Sequence, residues 1–472
     1  MNSINQHARL GCALAFSILV LAACPIVLSL HEQGVVQALK AAPVAASSDP
    51  TAFLSTWDTT RTSAGSSASN QIMLPLVSNG TYNFVVAWGD GTTSNITSWN
   101  QAQVTHTYAT PGVHDINITG TISGWEFNSG GDCLKLLGIS QWGSLQLGNS
   151  GGYFAGCANL NLTATDAPDL AGTTTLYDAF AGCTRLGSSG SMDTWNVSRV
   201  TDMRDMFYNA FAFDQPIGAW NTSSVMDMSG MFWLASSFDQ SLGAWNVSSV
   251  TNMSYMFSVA SSFSQPIGAW NVSRVTDMTW MFSGASYDQP IGAWNVSGVT
   301  DMSGMFFGGS FDQPLGAWNV SGVTDMSWMF AYIVAQPVSD WNMAASITDM
   351  SIMFDGASSF DQPIGTWNVS HVTDMSDMFY GVTLSTTNYN ALLLDWSQET
   401  LQPGVSFDAG HSRYSSAAAA ARASIISKFH WTITDGGLAS PPIAGYPVGW
   451  TIGLLTLACV ATATMKRRKF IQ

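Results

Sequence analysis

The chain has 472 residues and a formal net charge of −16 at pH 7. Only 10% of the residues are charged, whereas 19 Trp, 22 Met and 24 Phe supply ample material for a hydrophobic core. The acidic balance repels phosphate backbones, so we expect no nucleic-acid partner. The length allows two or three domains.

Residues 1–46 have the pattern of an export signal or signal anchor followed by a linker. Arg9 precedes an apolar run from Leu10 to Leu30, as in secretory signals. Within this run, Leu21-Ala22-Ala23-Cys24 resembles a bacterial lipobox, whose Cys would be lipidated. Three fates stay open: lipidation at Cys24, cleavage by signal peptidase near residues 42–46, and retention as an anchor. In each of them the bulk of the chain is exported.

Residues 51–120 predict a small β-sandwich. Large apolar residues alternate with small or polar ones, which is the period of a half-buried strand, at Tyr82, Phe84, Val86 and Trp88. A tight turn follows at Gly89-Asp90-Gly91. The segment resembles the PKD-type immunoglobulin-like sandwich in three motifs: Trp88-Gly-Asp-Gly91, His106-Thr-Tyr108 and Pro111-Gly112.

Residues 192–380 repeat one motif of about 25 residues eight times, and a fixed period of this length predicts stacked units in a solenoid. Each copy opens on a Trp, at Trp195, Trp220, Trp245, Trp270, Trp294, Trp318, Trp341 and Trp367. A Met-Phe pair follows at a constant spacing, except that one copy gains a residue at Ala344-Ala345. The spacing of Trp195 and Val197 predicts a short strand, and the later apolar residues predict a 3₁₀-like turn capped at Thr201-Asp202.

Residues 121–191 carry degenerate copies of the repeat, Phe154-Ala-Gly-Cys157 and Ala179-Phe180-Ala-Gly-Cys183. Together with the Trp-Asn-Val-Ser, Val-Thr-Asp-Met-Ser and Met-Phe signatures, they make residues 53–437 resemble the BspA-type leucine-rich-repeat surface proteins. The resemblance implies a mainly β fold, with a leucine-rich-repeat-type solenoid of short strands and tight turns after the small sandwich. It also implies a C-terminal helical cap at residues 381–437, with an Ala-rich helix at 416–429 and a strand beginning at Phe429-His430-Trp431.

The C-terminal region has the pattern of a membrane anchor. Residues 448–465 are apolar and barely long enough for a transmembrane helix, and residues 466–472 begin with Lys466-Arg467-Arg468-Lys469. Such a basic cluster favours the cytoplasmic side. We therefore expect an exported protein held at the cell surface or outer envelope by this helix.

Two columns of aspartates recur in the repeats. The first is Asp202, Asp227, Asp277, Asp301, Asp325, Asp349 and Asp374, with Asn252 in the remaining copy, and the second is Asp214, Asp239, Asp288, Asp312 and Asp361. Either the carboxylates cap turns and are solvated, which we favour, or Ca²⁺ bridges them. Cys157 and Cys183 occupy equivalent positions and are either bonded or, as we favour, buried thiols.

The Trp and Met columns match inward positions, so we interpret them as core rather than as a sugar-stacking platform. The Asn after each Trp is either part of an exposed polar binding face or a buried hydrogen-bond ladder. The Asn-Val-Ser tripeptides at Asn196, Asn246, Asn271, Asn295, Asn319 and Asn368 are also formal glycosylation acceptors.

No catalytic, cofactor-binding or metal-binding residues are predicted, because neither His106 nor His371 has the spacing of a metal ligand or of a nucleophile site. The sequence therefore favours a non-enzymatic, surface-displayed adhesion protein whose solenoid binds an extracellular protein or glycan. The alternative is a self-assembling structural or spacer component of the cell envelope.

Overall fold

The computed structural model describes residues 49–333, 337–343 and 346–440. The export signal (1–46), the transmembrane helix (448–465), the basic tail (466–472) and the insertion at Ala344-Ala345 lie outside the described residues. Within them the chain is mainly β with few helices. None of the helices described is long and apolar enough to cross a membrane.

The described chain has eleven strands and two α-helices in its regular elements. The strands are β1 (Phe53–Asp58), β2 (Gln71–Met73), β3 (Leu76–Ala87), β4 (Thr93–Ile96), β5 (Thr105–Thr107), β6 (Val113–Trp125), β7 (Leu136–Gln141), β8 (Leu145–Gln146), β9 (Asn161–Leu162), β10 (Ser406–Asp408) and β11 (Thr432–Thr434). The helices are α1 (Thr386–Trp396) and α2 (Ala419–Phe429), and 3₁₀ turns lie at Ala102–Val104, Cys133–Lys135 and Met192–Thr194.

The N-terminal part is a seven-stranded sheet in the order β4-β3-β6-β1-β7-β9, with β8 beside β6. Strands β2 and β5 form a separate antiparallel pair. Strand β6 runs to Trp125, and β7 pairs with β1, so the sheet continues past residue 120 into the degenerate repeats. The pairing of β7 with β9 is parallel, which begins the stacking seen in the repeats.

Successive repeats stack through parallel backbone bridges at one position, the first Asp column. The bridges run from Thr175↔Asp202 and Asp202↔Asp227 through to Asp349↔Asp374. Further backbone hydrogen bonds join successive turns, for example bonds of 2.8–3.0 Å from the N–H groups of Met203, Asp205, Phe207 and Asn209 to the carbonyls of Asp227, Ser229, Met231 and Trp233. The backbone polar groups of this segment are therefore paired between repeats, as a buried backbone requires.

The strand expected at Trp-Asn-Val-Ser is a turn instead, and this expectation was wrong. The Val200 N–H donates to the Val197 carbonyl at 2.9 Å, and the Ser198 N–H donates to Asn196 Oδ1 at 3.2 Å. The Asn side chain thus competes for the backbone donor and closes a turn. The extended pairing moves to the Thr-Asp-Met segment, where the residues bridge to neighbouring repeats.

The core is built from columns of identical side chains. The repeat tryptophans are at most 4% exposed, and Trp245 stacks on Trp270 at 6.5 Å with an interplanar angle of 2°. From Trp220 to Trp341 each indole N–H also donates to a carbonyl of the preceding repeat, at 2.6–3.2 Å. Burying a large apolar side chain contributes roughly 1.5–3 kcal/mol, so these columns dominate the stabilisation of the repeats.

The C-terminal segment continues the stack and closes it. Phe407 bridges to Met375, and the Phe379 N–H donates to the Asp408 carbonyl at 3.1 Å, as in the turns of the repeats. Helix α2 begins at Ala419 and ends at Phe429, within the predicted range 416–429. The strand after it begins at Thr432 rather than at residues 429–431, because His430 adopts a left-handed conformation that ends the helix.

Candidate interaction surface

The first Asp column caps turns. Asp227 Oδ1 accepts the Ser229 N–H at 2.9 Å and the Ser229 hydroxyl at 2.7 Å. The same bond to the backbone two residues later is made by Asp202, Asn252, Asp277, Asp301, Asp325, Asp349 and Asp374. Asn252 replaces Asp with the same geometry, so the bond requires an oxygen acceptor rather than a charge.

The second Asp column bonds between repeats. Asp214 Oδ1 accepts the Asp239 N–H at 3.1 Å, and Asp288 Oδ1 accepts the Asp312 N–H at 2.9 Å. Asp361 likewise accepts the Ser385 N–H at 2.8 Å. Both columns are thus occupied by backbone donors. In the part of the chain that the structure describes, no three His, Cys, Asp or Glu side chains converge as metal ligands.

The Asn after each repeat Trp lies on the surface. Asn196, Asn246, Asn271, Asn295 and Asn319 are exposed, and Asn368 is half-buried. Each accepts the N–H of the following Ser, so the column is a series of turn caps and not a buried ladder. The polar face expected here is present.

A second surface, not foreseen from the sequence, carries aromatic side chains. They lie in the turns around the Met-Phe pairs and form what we call the aromatic stripe: Tyr208, Trp233, Tyr255, Trp280, Phe307, Trp328 and Tyr332. Ring centroids of successive members from Tyr208 to Trp328 are 4.8–6.4 Å apart, and the Tyr332 ring lies 5.8 Å from that of Phe307. Tyr332 is 55% exposed and the other six are half-buried. The stripe is therefore a continuous aromatic surface over six repeats.

The backbone beneath the stripe is unusual for such residues. Tyr255, Trp280 and Trp328 have φ of +58°, +55° and +64°. Two other repeats have Gly230 and Gly304 at the equivalent position, with φ of +60° and +61°, and the remaining repeats have Asp205, Ile352 and Asp377, with φ of +52°, +60° and +54°. A left-handed conformation costs a bulky residue about 1–2 kcal/mol relative to glycine, and such strain concentrates at functional sites. The chain therefore carries large rings at a position where glycine would be less strained.

A cation already lies over an aromatic ring in the turns that precede the stripe. The Arg204 guanidinium lies 5.0 Å from the centroid of the Tyr177 ring. Its Nη2 is 2.8 Å from Asp202 Oδ2, and its Nε is 3.7 Å from Asp227 Oδ2. The Asp202 carboxylate, which accepts its hydrogen bond, raises the pKa of Arg204. This corner shows how a guanidinium fits between an aromatic ring and the first Asp column.

Carboxylates with raised pKa values stand at both ends. Burial, reinforced by the nearby Asp178, raises the pKa of Asp205 to about 6. At the other end, the Tyr332 hydroxyl donates to Asp355 Oδ2 at 2.8 Å. Burial also raises the pKa values of Asp355 and Asp377. The surface is aromatic along its length and acidic at its ends.

The histidines singled out in the sequence lie elsewhere. His106 stacks on Trp88 at 4.7 Å, and its Nε2 is 2.8 Å from Asp90 Oδ2, so the motif residues of the sandwich pack together. His371 contacts the Ser370 hydroxyl in a repeat turn. Near the sandwich, a cavity of about 520 Å³ is lined by Trp99, Glu126 and Asp132 among others. The buried Asp132 carboxylate pairs with Lys135 at 3.2 Å and accepts hydrogen bonds from Ser67 and from the Met73 N–H.

Cys157 and Cys183 are free, buried thiols. The Cys183 thiol donates to the Phe154 carbonyl at 3.2 Å. Burial raises the pKa values of both thiols. The degenerate repeats thus carry the buried thiols favoured above.

Comparison with known proteins gives one family. Residues 174–290 and 285–396 match the model of a family described as "Mycoplasma protein of unknown function, DUF285". This part of the chain is therefore similar in sequence to that family. The match covers slightly less than half of the chain and includes the aromatic stripe. No curated protein and no solved structure matches.

Proposed function

We propose that the protein is a non-enzymatic adhesion or interaction protein that presents a rigid repeat scaffold outside the cell. The aromatic stripe carries this proposal. Seven contiguous, partly exposed rings on one face form a contact surface of the kind that marks interaction sites. Four of the rings, those of Tyr255, Trp280, Trp328 and Tyr332, stand at left-handed backbone positions, which favours a role in binding over a role in packing.

The scaffold is a solenoid of the leucine-rich-repeat type, similar to BspA-type surface proteins. Parallel bridges between equivalent residues of successive repeats, and columns of identical buried side chains, support this assignment. Stacking of the repeats fixes the spacing of the rings. Few side chains then become ordered on binding, so the entropic cost of ordering them is small.

The cellular placement in this proposal is an exported protein attached to the membrane. The apolar run at residues 10–30 and the segment 448–465 with its basic flank support this placement. An extracellular protein or glycan is then the partner. The alternative, a self-assembling envelope component, would use the same face to contact further copies of the chain.

A binding panel tests the proposal. The purified full chain is offered to intact cells, matrix proteins and glycans, with Ca²⁺ and with EDTA, beside a stripe variant carrying Tyr255→Gly, Trp280→Gly and Trp328→Gly. These substitutions copy Gly230 and Gly304, which the chain already tolerates at the same position. Saturable binding that the stripe variant loses supports the proposal. Absence of binding, with concentration-dependent assembly in sizing runs, would move the assignment to the structural alternative.

A further inference from the structure

We propose that the aromatic stripe and the first Asp column beside it bind an extended, cationic polypeptide segment, with arginine or lysine side chains over the rings. This inference rests on the proposed function, because it names the partner of the same surface. Three observations support it: the negative charge of the repeats, the contacts of Arg204 with Tyr177, Asp202 and Asp227, and the length of the surface.

The charge of the repeats selects cations. Between residues 192 and 380 the basic side chains are Arg199, Arg204, Arg274 and His371, against seventeen aspartates and no lysine or glutamate. The first Asp column lies close to the stripe in the sequence. Asp277, for example, stands three residues before Trp280. A partner carrying carboxylates or phosphates would meet repulsion along the whole surface, whereas a basic partner meets attraction.

The rings themselves favour the same partner. A guanidinium or ammonium group over the face of Trp or Tyr is attracted by the ring quadrupole. Arg204 demonstrates the complete arrangement within the chain, with Tyr177 beneath the guanidinium and Asp202 and Asp227 at its edge. Farther along, Asp277 and Asp325 precede Trp280 and Trp328 by three residues, and among the described residues no cation lies over either ring.

The length of the surface sets the size of the segment. The proposed surface comprises the stripe and the contact of Arg204 with Tyr177 that precedes it, and six parallel bridges separate the repeat of Tyr177 from that of Tyr332. At a spacing of roughly 4.8 Å per stacked strand, the surface is about 29 Å long. An extended polypeptide advances about 3.3 Å per residue, so about nine residues span it. A helix of the same number of residues would cover about half of that length.

The test measures fluorescence anisotropy of a labelled decapeptide of five Gly-Arg units with the full chain. Matched peptides carry Gln or Glu in place of Arg. We expect saturable binding of the Arg peptide, at least tenfold weaker binding of the Gln peptide, and none of the Glu peptide. The stripe variant is expected to lose at least tenfold in affinity for the Arg peptide.

A gain-of-affinity variant guards against loss through misfolding. Arg204→Gln removes the guanidinium that contacts Tyr177, Asp202 and Asp227. An arginine of the peptide can then take its place, so the Arg peptide should bind several-fold more tightly. Arg199→Gln is the matched control, because Arg199 belongs to the Asn-Val-Ser turn rather than to the stripe. An Arg204→Gln chain that binds no more tightly than the Arg199→Gln chain would overturn the proposal.

Two results separate failure of this inference from failure of the proposed function. If the stripe variant loses binding to the cell and matrix panel but neither chain binds the Arg peptide, the function stands and the cationic partner is overturned. Competition by cellohexaose but not by the Arg peptide would likewise overturn it in favour of a glycan. If the stripe variant retains full binding to the panel, the proposed function itself fails.

Discussion

The Trp280 side chain lies across the backbone of Gly304 in the next repeat. A Cβ placed on Gly304 would stand 2.5 Å from the Cδ2 and Cε2 atoms of the Trp280 ring. From this position Trp280 reaches Trp328, two repeats away, at a centroid distance of 6.4 Å. Gly304 thus joins two parts of the aromatic stripe by leaving room above its backbone.

Gly304→Ala is therefore expected to displace the Trp280 ring and weaken binding to the stripe. Gly308→Ala is the matched control, because Gly308 has φ of +59° and no atom within 4 Å of its added Cβ. Both changes cost about 1 kcal/mol in backbone strain. Chemical denaturation and panel binding measure the two effects, and equal binding by both variants would contradict the role given to Gly304.

Asp205 makes stability depend on pH. Its pKa of about 6 in the folded chain exceeds the ordinary aspartate value of 3.8 because the carboxyl is buried near Asp178. The folded state therefore favours the protonated form, and this stabilisation, fully present below pH 3.8, is lost as pH rises through about 6. Asp205→Asn should raise the melting temperature at pH 7.5 more than at pH 5.

Solvent screening limits how much the effect of Asp205→Asn on stability differs between pH 5 and pH 7.5. The side chain is only half-buried, so we expect about 1 kcal/mol between the two pH values rather than the full value of the shift. Asn tolerates the left-handed backbone of this position, which has φ of +52°, so the substitution adds no strain. Melting curves of both chains across this range measure it, and parallel pH profiles would refute the assignment.

The first Asp column should need an acceptor oxygen but no charge. Asn252 caps Ser254 at 2.9 Å, as Asp277 caps Thr279 at 2.9 Å. Asp277→Asn is therefore expected to change the free energy of unfolding little, whereas Asp277→Ala should cost about 1 kcal/mol. Urea denaturation with and without EDTA measures both. A large cost of the Asn substitution that appears only with Ca²⁺ would instead reveal a bridging cation.

The Trp column offers a matched pair for the indole hydrogen bond. Trp270 Nε1–H donates to the Leu242 carbonyl at 3.1 Å, whereas Trp367 Nε1 is buried without a hydrogen-bond partner among the described residues. Both rings are buried, so replacement by Phe removes similar apolar area. We expect Trp270→Phe to lower the free energy of unfolding by about 1 kcal/mol more than Trp367→Phe. Equal losses would show that packing alone holds the column.

The sequence predicted what repeats at a fixed spacing. Large apolar side chains such as Trp245 and Met256 return at every period, so their inward direction followed from the pattern. The strand expected at Trp195 and Val197 was wrong because two residues of a turn can share that spacing. The Asn196 side chain, which accepts the Ser198 N–H, decides between the two conformations.

The aromatic stripe could not be predicted because its members occupy different positions of the motif. Tyr208 follows the Met-Phe pair, whereas Tyr255 precedes it, and only the stacked turns bring such residues together. One signal was present in the sequence: Trp280 and Trp328 replace a residue that is Gly in two other copies and Asp in two more. Glycine and aspartate at one repeat position indicate a left-handed backbone, where a large ring requires an explanation.

The most direct test of the account is adhesion of cells that display three forms of the full chain. The forms are the wild type, the stripe variant, and a control with Asn246→Asp, Asn271→Asp and Asn295→Asp, which keeps the turn acceptors of the polar face. We predict that the stripe variant loses adhesion to the ligands that the wild type binds, while the control retains it. Loss in the control with full adhesion by the stripe variant would place the contact on the polar face and contradict the account.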